Sequence, residues 1–126
     1  MRFPFETGYD PPFPAVEIML SSSEQGRRTD KLQALLDTGS DGTIVPLDRL
    51  WEIRATVLSD ARISSHWGEM RPVQLFSVDI HLADLVFPSV IVVGDDQGTE
   101  IILGRNVLNK LTAVFDGPRQ TTEIKA

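Results

Sequence analysis

The amino-acid sequence predicts an all-β domain, mainly strands with one or two short helices. Short apolar runs rich in β-branched residues recur along the chain, and clusters of Gly, Pro, Asp and Ser separate them. The composition, with 41% hydrophobic and 24% charged residues, is that of a folded domain with its own core. A chain of 126 residues has room for one such domain but not for two of ordinary size. We therefore expect residues 1–126 to form a single domain.

The first half of the chain predicts an arm, three strands and a helix. Residues 1–14 hold four prolines interleaved with aromatic residues, which disfavours helix and favours an extended N-terminal arm. The apolar run from Ala15 to Leu20 predicts a strand, and a second strand is expected to end at Leu36. Residues 43–45 are β-branched and predict a third strand. A short helix is expected over residues 46–51, because proline suits a first helical turn.

The second half alternates strand-forming runs with turn-forming clusters. Two β-leaning runs, residues 55–63 and 71–82, flank a turn around Gly68 and predict a hairpin. After Gly104, apolar residues at helical spacing predict a short helix through Leu111. Three further strands are predicted at residues 86–93, 112–115 and 121–124.

Charge and composition exclude several classes of function. Twelve Lys and Arg against eighteen Asp and Glu give a net charge of −6, so neither nucleic acid nor an anionic membrane is an expected partner. The absence of cysteine excludes disulfides, thiolate zinc sites and a cysteine nucleophile. His66 and His81 lack the spacing of a metal motif, so no metal site is expected. The N-terminal residues contain no apolar run typical of a signal peptide, which predicts a cytoplasmic protein.

The segment Leu36-Asp37-Thr38-Gly39-Ser40 carries the chemistry that the sequence indicates. An acid at the end of an apolar strand lies in a partly apolar site. Two carboxylates that face each other share one proton, so one accepts a proton from water while the other protonates a carbonyl oxygen. Such a pair hydrolyses amide bonds by general acid–base catalysis, and it requires no metal or organic cofactor.

Asp37 has other interpretations that must be weighed. Residues 37–48 match several positions of an EF-hand calcium loop, but Gly39 replaces a ligand and Asp48 replaces the bidentate glutamate. Asp37 could also be an ordinary turn residue before glycine. Asp116 follows another apolar run, but Asp-Gly-Pro is a common way to open a turn, so a second carboxylate within one chain is not expected there.

Two motifs together make the chain resemble a known family. The run apolar-apolar-Asp-Thr-Gly-Ser that ends at Ser40 resembles the active-site signature of aspartic proteases. The run Ile-Ile-Leu-Gly-Arg-Asn over residues 101–106 is similar to the segment that opens the C-terminal helix of the retropepsin-like, or retroviral-type, branch and its single-domain bacterial members. The predicted hairpin lies between the motifs, where that family carries its flap. The resemblance covers roughly residues 15–116.

The resemblance implies an acid-protease closed β-barrel that works as a homodimeric aspartic endopeptidase. Asp37 would be the catalytic carboxylate, and a twofold axis would bring two copies of its loop together. The flap residues that would bind substrate are His66, Trp67 and Gly68. The residues that would support the active-site loop are Thr38, Gly39, Ser40, Asp41, Thr43, Arg105 and Asn106.

Several of these residues have a specific role in the resembled family. Thr38 would form a hydrogen bond across the dimer, and the Gly39 carbonyl would contact substrate. Asp41 and Arg105 would form a buried ion pair, while Thr43 and Asn106 would brace the same loop.

The expected partners are a second copy of the chain and a peptide or protein substrate. The N-terminal arm and the tail strand are candidates to pair or swap across the interface between the two copies, because unpaired strand edges seek partners. The alternative function is a catalytically silent dimer of the same fold that binds extended peptides by strand addition.

Overall fold

The computed structural model describes residues 1–22, 26–64 and 68–125. The chain is mostly β with two short helices, α1 (Leu47–Glu52) and α2 (Arg105–Leu108), which confirms the predicted class. The strands are β1 (Arg2–Pro4), β2 (Ala15–Ser22), β3 (Arg27–Arg28), β4 (Leu32–Leu36), β5 (Thr43–Pro46), β6 (Thr56–Ser64), β7 (Met70–Leu82), β8 (Leu85–Asp95), β9 (Ile101–Leu103), β10 (Thr112–Asp116) and β11 (Thr121–Lys125).

Six of the strands close into a barrel, as the resemblance implies. Their order is β2-β4-β9-β5-β8-β7, and β7 then pairs back onto β2 through the register Leu20↔Ile80. The β4–β9 and β5–β8 pairs are parallel, whereas the other pairs of the barrel are antiparallel. Closure leaves the barrel without an open edge between these six strands.

Alternation along the strands fills the barrel interior. In β7, Val78, Ile80 and Leu82 are buried while the residues between them are partly exposed. The same period of two recurs in β2, where Ile18 and Leu20 are buried on either side of the partly exposed Met19. The alternation of buried and exposed residues along these strands therefore accounts for the apolar core inside the barrel.

The two ends of the chain form a separate three-stranded sheet in the order β1-β11-β10. Phe3 of β1 lies opposite Thr122, and the amino group of Met1 donates to the Ile124 carbonyl oxygen at 3.0 Å. The arm was expected to be extended over residues 1–14, and only Arg2–Pro4 forms a strand there. This strand, β1, pairs with β11 of its own chain, and pairing of the arm or the tail strand across a subunit interface stays a prediction.

The rest of the arm turns back on itself. The backbone N–H of Glu6 donates to the Phe13 carbonyl oxygen at 2.8 Å, and the N–H of Phe13 donates to the Glu6 carbonyl oxygen at 3.0 Å. The rings of Tyr9 and Phe13 pack with their centroids 5.5 Å apart. We call residues 5–14 the N-terminal loop.

The first helix begins one residue later than its sequence pattern predicts, and the second is shorter than predicted. Pro46 ends β5 and precedes α1 rather than occupying its first turn. Helix α2 ends at Leu108, because the next turn is of the 3₁₀ type, in which the N–H of Lys110 donates to the Val107 carbonyl oxygen. Leu111 still packs against the core, as the helical spacing predicted. No helix in the described ranges reaches the length and hydrophobicity of a membrane span.

Candidate active site

Asp37 lies at the point where β4 leaves the barrel. The three residues before it are buried, and Asp37 itself is half-buried. Its backbone N–H donates to the Leu103 carbonyl oxygen at 3.1 Å, which continues the pairing of β4 with β9. The N–H of Ser40 then donates to the Asp37 carbonyl oxygen at 3.2 Å and closes a tight turn. The apolar strand therefore delivers this carboxyl group to the end of the barrel.

The carboxylate of Asp37 is oriented by its own turn. Its Oδ1 accepts a hydrogen bond of 2.8 Å from the backbone N–H of Gly39. A Cβ atom on Gly39 would lie 3.0 Å from that same oxygen, so a side chain at this position would crowd the carboxylate. Gly39 thus leaves room for the Asp37 carboxylate and donates a backbone hydrogen bond to it.

The two sequence motifs pack directly on each other. The backbone N–H of Arg105 donates to the Ser40 carbonyl oxygen at 2.8 Å, and Ser40 Oγ donates to the Gly42 carbonyl oxygen at 2.7 Å. A Cβ atom on Gly104 would overlap the Gly42 carbonyl oxygen and would lie 2.8 Å from the Ser40 carbonyl oxygen. Only a glycine at position 104 allows this close approach of the two loops.

A buried hydrogen-bond chain ties the site to the neighbouring strand. Thr43 is fully buried, and its Oγ1 donates to Asn106 Oδ1 at 2.7 Å while accepting from the N–H of Gly104 at 3.1 Å. Asn106 Nδ2 donates to the Ile91 carbonyl oxygen of β8 at 2.9 Å. The loop, α2 and β8 are therefore held together by side chains of the two motifs.

Arg105 and Asp41 differ from what the resemblance implies. Both residues are exposed, and no ion pair joins them in the described part of the chain, so the expected buried pair is not present. Arg105 Nη1 instead donates to the Thr38 carbonyl oxygen at 2.8 Å. The guanidinium holds the active-site loop through its backbone, since this carbonyl lies within its reach. The side chain of Thr38 is exposed, and its bond across a dimer stays a prediction.

Only part of the predicted flap lies within the described residues. Strands β6 and β7 form the predicted hairpin, with the register Ser64↔Met70 next to its tip. Gly68 is exposed and has a φ of +79°, a left-handed conformation that glycine adopts without strain. His66 and Trp67 lie outside the described residues, so their contacts with substrate stay a prediction.

The sequence did not reveal how the hairpin is attached to the rest of the barrel. Arg71 of β7 donates to Gln97 Oε1 through Nη1, and its Nη2 lies 3.5 Å from Asp95 Oδ1. Its Nη1 also lies 3.9 Å from Asp96 Oδ1. The β7–β8 register, with Gln74 opposite Gly94, is what brings Arg71 to the turn after β8.

The calcium-loop interpretation conflicts with the observed elements. Residues 43–46 form β5, and Asp48 lies in the first turn of α1, where its Oδ1 accepts from the N–H of Arg49 at 2.9 Å. Across residues 1–22, 26–64 and 68–125, no group of three or more His, Asp or Glu side chains is placed to hold a metal ion. The segment is a strand and a helix start rather than a cation loop.

Solved structures share this fold. A retropepsin-like aspartic protease from Rickettsia conorii superposes with a TM-score of 0.55 and 12% identity, covering 87% of this chain and 90% of that one. The retroviral protease-like domain of Ddi1 from Leishmania major gives 0.54 and 14%, covering 89% of each chain. No family model matches the sequence, and no curated protein is significantly similar to it. The structural likenesses show a retropepsin-like fold.

Proposed function

We propose that this chain, which has a retropepsin-like fold, is an aspartic endopeptidase that hydrolyses peptide bonds as a homodimer. The observation that carries the proposal is the position of Asp37, half-buried at the end of β4 in a loop held by the second motif. The hydrogen bonds from Arg105 and the close approach of Gly104 fix that loop before substrate arrives. Preorganised carboxylates of this kind suit general acid–base hydrolysis.

The proposed mechanism needs two copies of Asp37 and one proton between them. One ionised carboxylate takes a proton from a water molecule, and the water oxygen attacks the peptide carbonyl carbon. The protonated carboxyl of the partner gives its proton to the carbonyl oxygen, which forms a tetrahedral intermediate. The carboxyl group that took the proton from water then gives it to the amide nitrogen and the C–N bond breaks. One hydroxyl of the intermediate gives its proton to the other carboxylate, which restores the shared proton. Activity is expected at acidic pH, since the pair must keep its shared proton.

The free edge of β10 supports a dimer. The chain supplies one Asp37 loop, and the proposed chemistry requires two. In the described part of the chain, β10 pairs only with β11, so its outer edge is open. Val114 and Phe115 on this strand are 41% and 47% exposed. An open strand edge with exposed apolar side chains is a surface that a second copy can cover.

Peptide cleavage tests the proposal. The wild-type protein and Asp37→Asn are incubated with a denatured protein or a peptide library from about pH 3 to pH 8, with and without a transition-state-mimicking inhibitor of aspartic proteases. We expect products from the wild type only, and none when the inhibitor is present. Asp84→Asn is the control, since Asp84 is an exposed turn residue between β7 and β8.

Two results would contradict the endopeptidase. The first is a folded wild-type dimer that yields no product at any pH, and the second is equal cleavage by Asp37→Asn. A folded dimer that binds extended peptides without cutting them would instead support the peptide-binding alternative.

A further inference from the structure

The N-terminal loop lines an open cavity whose floor includes Leu35, two residues before Asp37 in the chain. The cavity has a volume of about 610 Å³. One wall is made by Glu6 and Tyr9 of the N-terminal loop, the floor by Leu35 and Ile101, and the opposite side by Glu100.

The cavity lies within reach of a substrate at Asp37. Leu35 precedes Asp37 by two residues on β4, and two residues of an extended strand span about 7 Å. A peptide bound in extended form has the same rise for each residue. A side chain within about two residues of the scissile bond can therefore enter this cavity.

The lining has the chemistry of a site for a long cationic side chain. Leu35 and Ile101 are buried apolar residues that suit a methylene stem. Glu6 and Glu100 supply two carboxylates, and no lysine or arginine of the described residues lines the cavity. Tyr9 adds an aromatic ring, which attracts a guanidinium in addition to the carboxylates.

The wall is already ordered in the free chain. Two backbone hydrogen bonds between Glu6 and Phe13 close the loop, and Leu36 N–H donates to the Pro14 carbonyl oxygen at 3.1 Å. Glu6 Oε1 accepts from the N–H of Gly8 at 2.8 Å, which orients the carboxylate. Binding therefore loses little entropy in ordering this wall.

We propose that this cavity is a substrate subsite that selects a basic side chain, arginine above lysine, near the scissile bond. The inference rests on the proposed endopeptidase function and specifies its substrate class. Arginine is preferred because its planar guanidinium both stacks on tyrosine and forms paired hydrogen bonds with a carboxylate. An acidic side chain at the same position would be repelled by Glu6 and Glu100.

Binding to the inactive protein tests the subsite independently of cleavage. Two extended peptides that differ only by arginine or its neutral isostere citrulline are titrated into Asp37→Asn, and wild-type cleavage of both is measured in parallel. We expect the arginine peptide to bind about tenfold more tightly, which corresponds to about 1.4 kcal/mol. The double variant Glu6→Gln, Glu100→Gln, made in the Asp37→Asn background, should lose that preference. Glu52→Gln in the same background should keep it, because Glu52 lies on α1 outside the cavity.

A charge reversal provides a second measurement. Glu100→Lys, again in the Asp37→Asn background, should weaken binding of the arginine peptide and strengthen binding of a glutamate peptide, because it reverses the charge on one side of the cavity. The variant should fold, because Glu100 is exposed. Equal affinities for arginine and citrulline peptides, or no binding of either, would overturn the subsite even if the wild type cleaves protein substrates. Selective arginine binding without wild-type cleavage would keep the subsite and refute the endopeptidase.

Discussion

Two buried threonines show how single hydroxyl groups contribute to this structure. Thr43 and Thr122 are both fully buried. The Thr43 hydroxyl donates to Asn106 and accepts from Gly104, whereas the Thr122 hydroxyl has no partner in the described residues. A buried hydroxyl without a partner loses its hydration and gains nothing in return. The two positions therefore form a matched pair for measuring the hydrogen bonds of the active-site loop.

We predict opposite outcomes for the same isosteric substitution. Thr43→Val should lower the free energy of unfolding by about 1–3 kcal/mol, because it leaves Asn106 and the Gly104 N–H with one partner fewer. Thr122→Val should be neutral or slightly stabilising, since it removes an unpaired polar atom. Urea-induced unfolding of both variants measures the difference. An equal decrease in the free energy of unfolding for the two variants would show that the hydrogen bonds of Thr43 do not stabilise the fold.

The sequence singles out the residues of the candidate site but does not predict all of their contacts. The spacing of Asp37 and Gly39 defines a turn, and the close packing of Gly104 explains why a glycine stands in the second motif. The partner of Arg105 could not be predicted in this way. A guanidinium has five donors, and whether it bonds Asp41 or the Thr38 carbonyl depends on loop geometry that no local pattern encodes.

At the level of elements, Arg71 connects β7 with the turn after β8. Its guanidinium binds the Gln97 side chain and lies near Asp95 and Asp96. The Arg71 side chain is only 33% exposed, and that of Asp95 is 15% exposed. Pairs of this kind add little to global stability but can restrict a local motion. The contact therefore ties the part of the predicted flap next to its tip to the turn after β8.

We predict that Arg71→Gln loosens the hairpin while the fold remains stable. The free energy of unfolding should fall by less than about 1 kcal/mol, because the lost ion pairs are partly solvated. Amide hydrogen exchange of residues 70–74 should accelerate, and KM should change more than kcat. Arg119→Gln is the control, since its ion pair with Asp116 lies in the turn between β10 and β11. Unchanged exchange in Arg71→Gln would show that the contact does not restrain the hairpin.

Strands and hairpins were predictable because their periodicity and turns are local. The β6–β7 hairpin and the strand of residues 86–93 were both expected, and the structure has them as β6, β7 and β8. The N-terminal loop was not expected. Proline and aromatic residues disfavour helix there, but the bonds between Glu6 and Phe13 and the pairing of β1 with β11 are non-local. Alternating patterns do not specify such partners.

At the level of the whole molecule, the strand order brings the two motifs together at one candidate site. Parallel pairing of β4 with β9 brings Leu36 opposite Leu103, and so places the Asp37 turn beside Gly104. The barrel closes only because β7 is long enough to pair with β6, β8 and β2. Neither feature follows from strand periodicity. Barrel closure was expected from the resemblance of the two motifs, whereas the parallel pairing of β4 with β9 was not predicted.

The proposed chemistry requires an interface between two copies of the chain. We expect the wild type to sediment as a dimer at micromolar concentration, at twice the 14.0 kDa of one chain. Phe115→Glu should shift it to the monomer and abolish cleavage, because a buried unpaired charge at the β10 edge opposes association. Thermal unfolding of the monomer should remain cooperative, since Phe115 is exposed in the single chain.

Val86→Glu is the control that shows whether a charge placed at any exposed apolar residue dissociates the dimer, or only a charge at the β10 edge. Val86 is 55% exposed and lies on β8, which belongs to the barrel and not to the terminal sheet, so this variant should remain a dimer and stay active. Dissociation by Val86→Glu but not by Phe115→Glu would move the interface away from β10. A 14.0 kDa species at every concentration would leave a single Asp37 loop without its partner and contradict the dimeric site itself. The two variants therefore test both whether the chain pairs and which edge it uses.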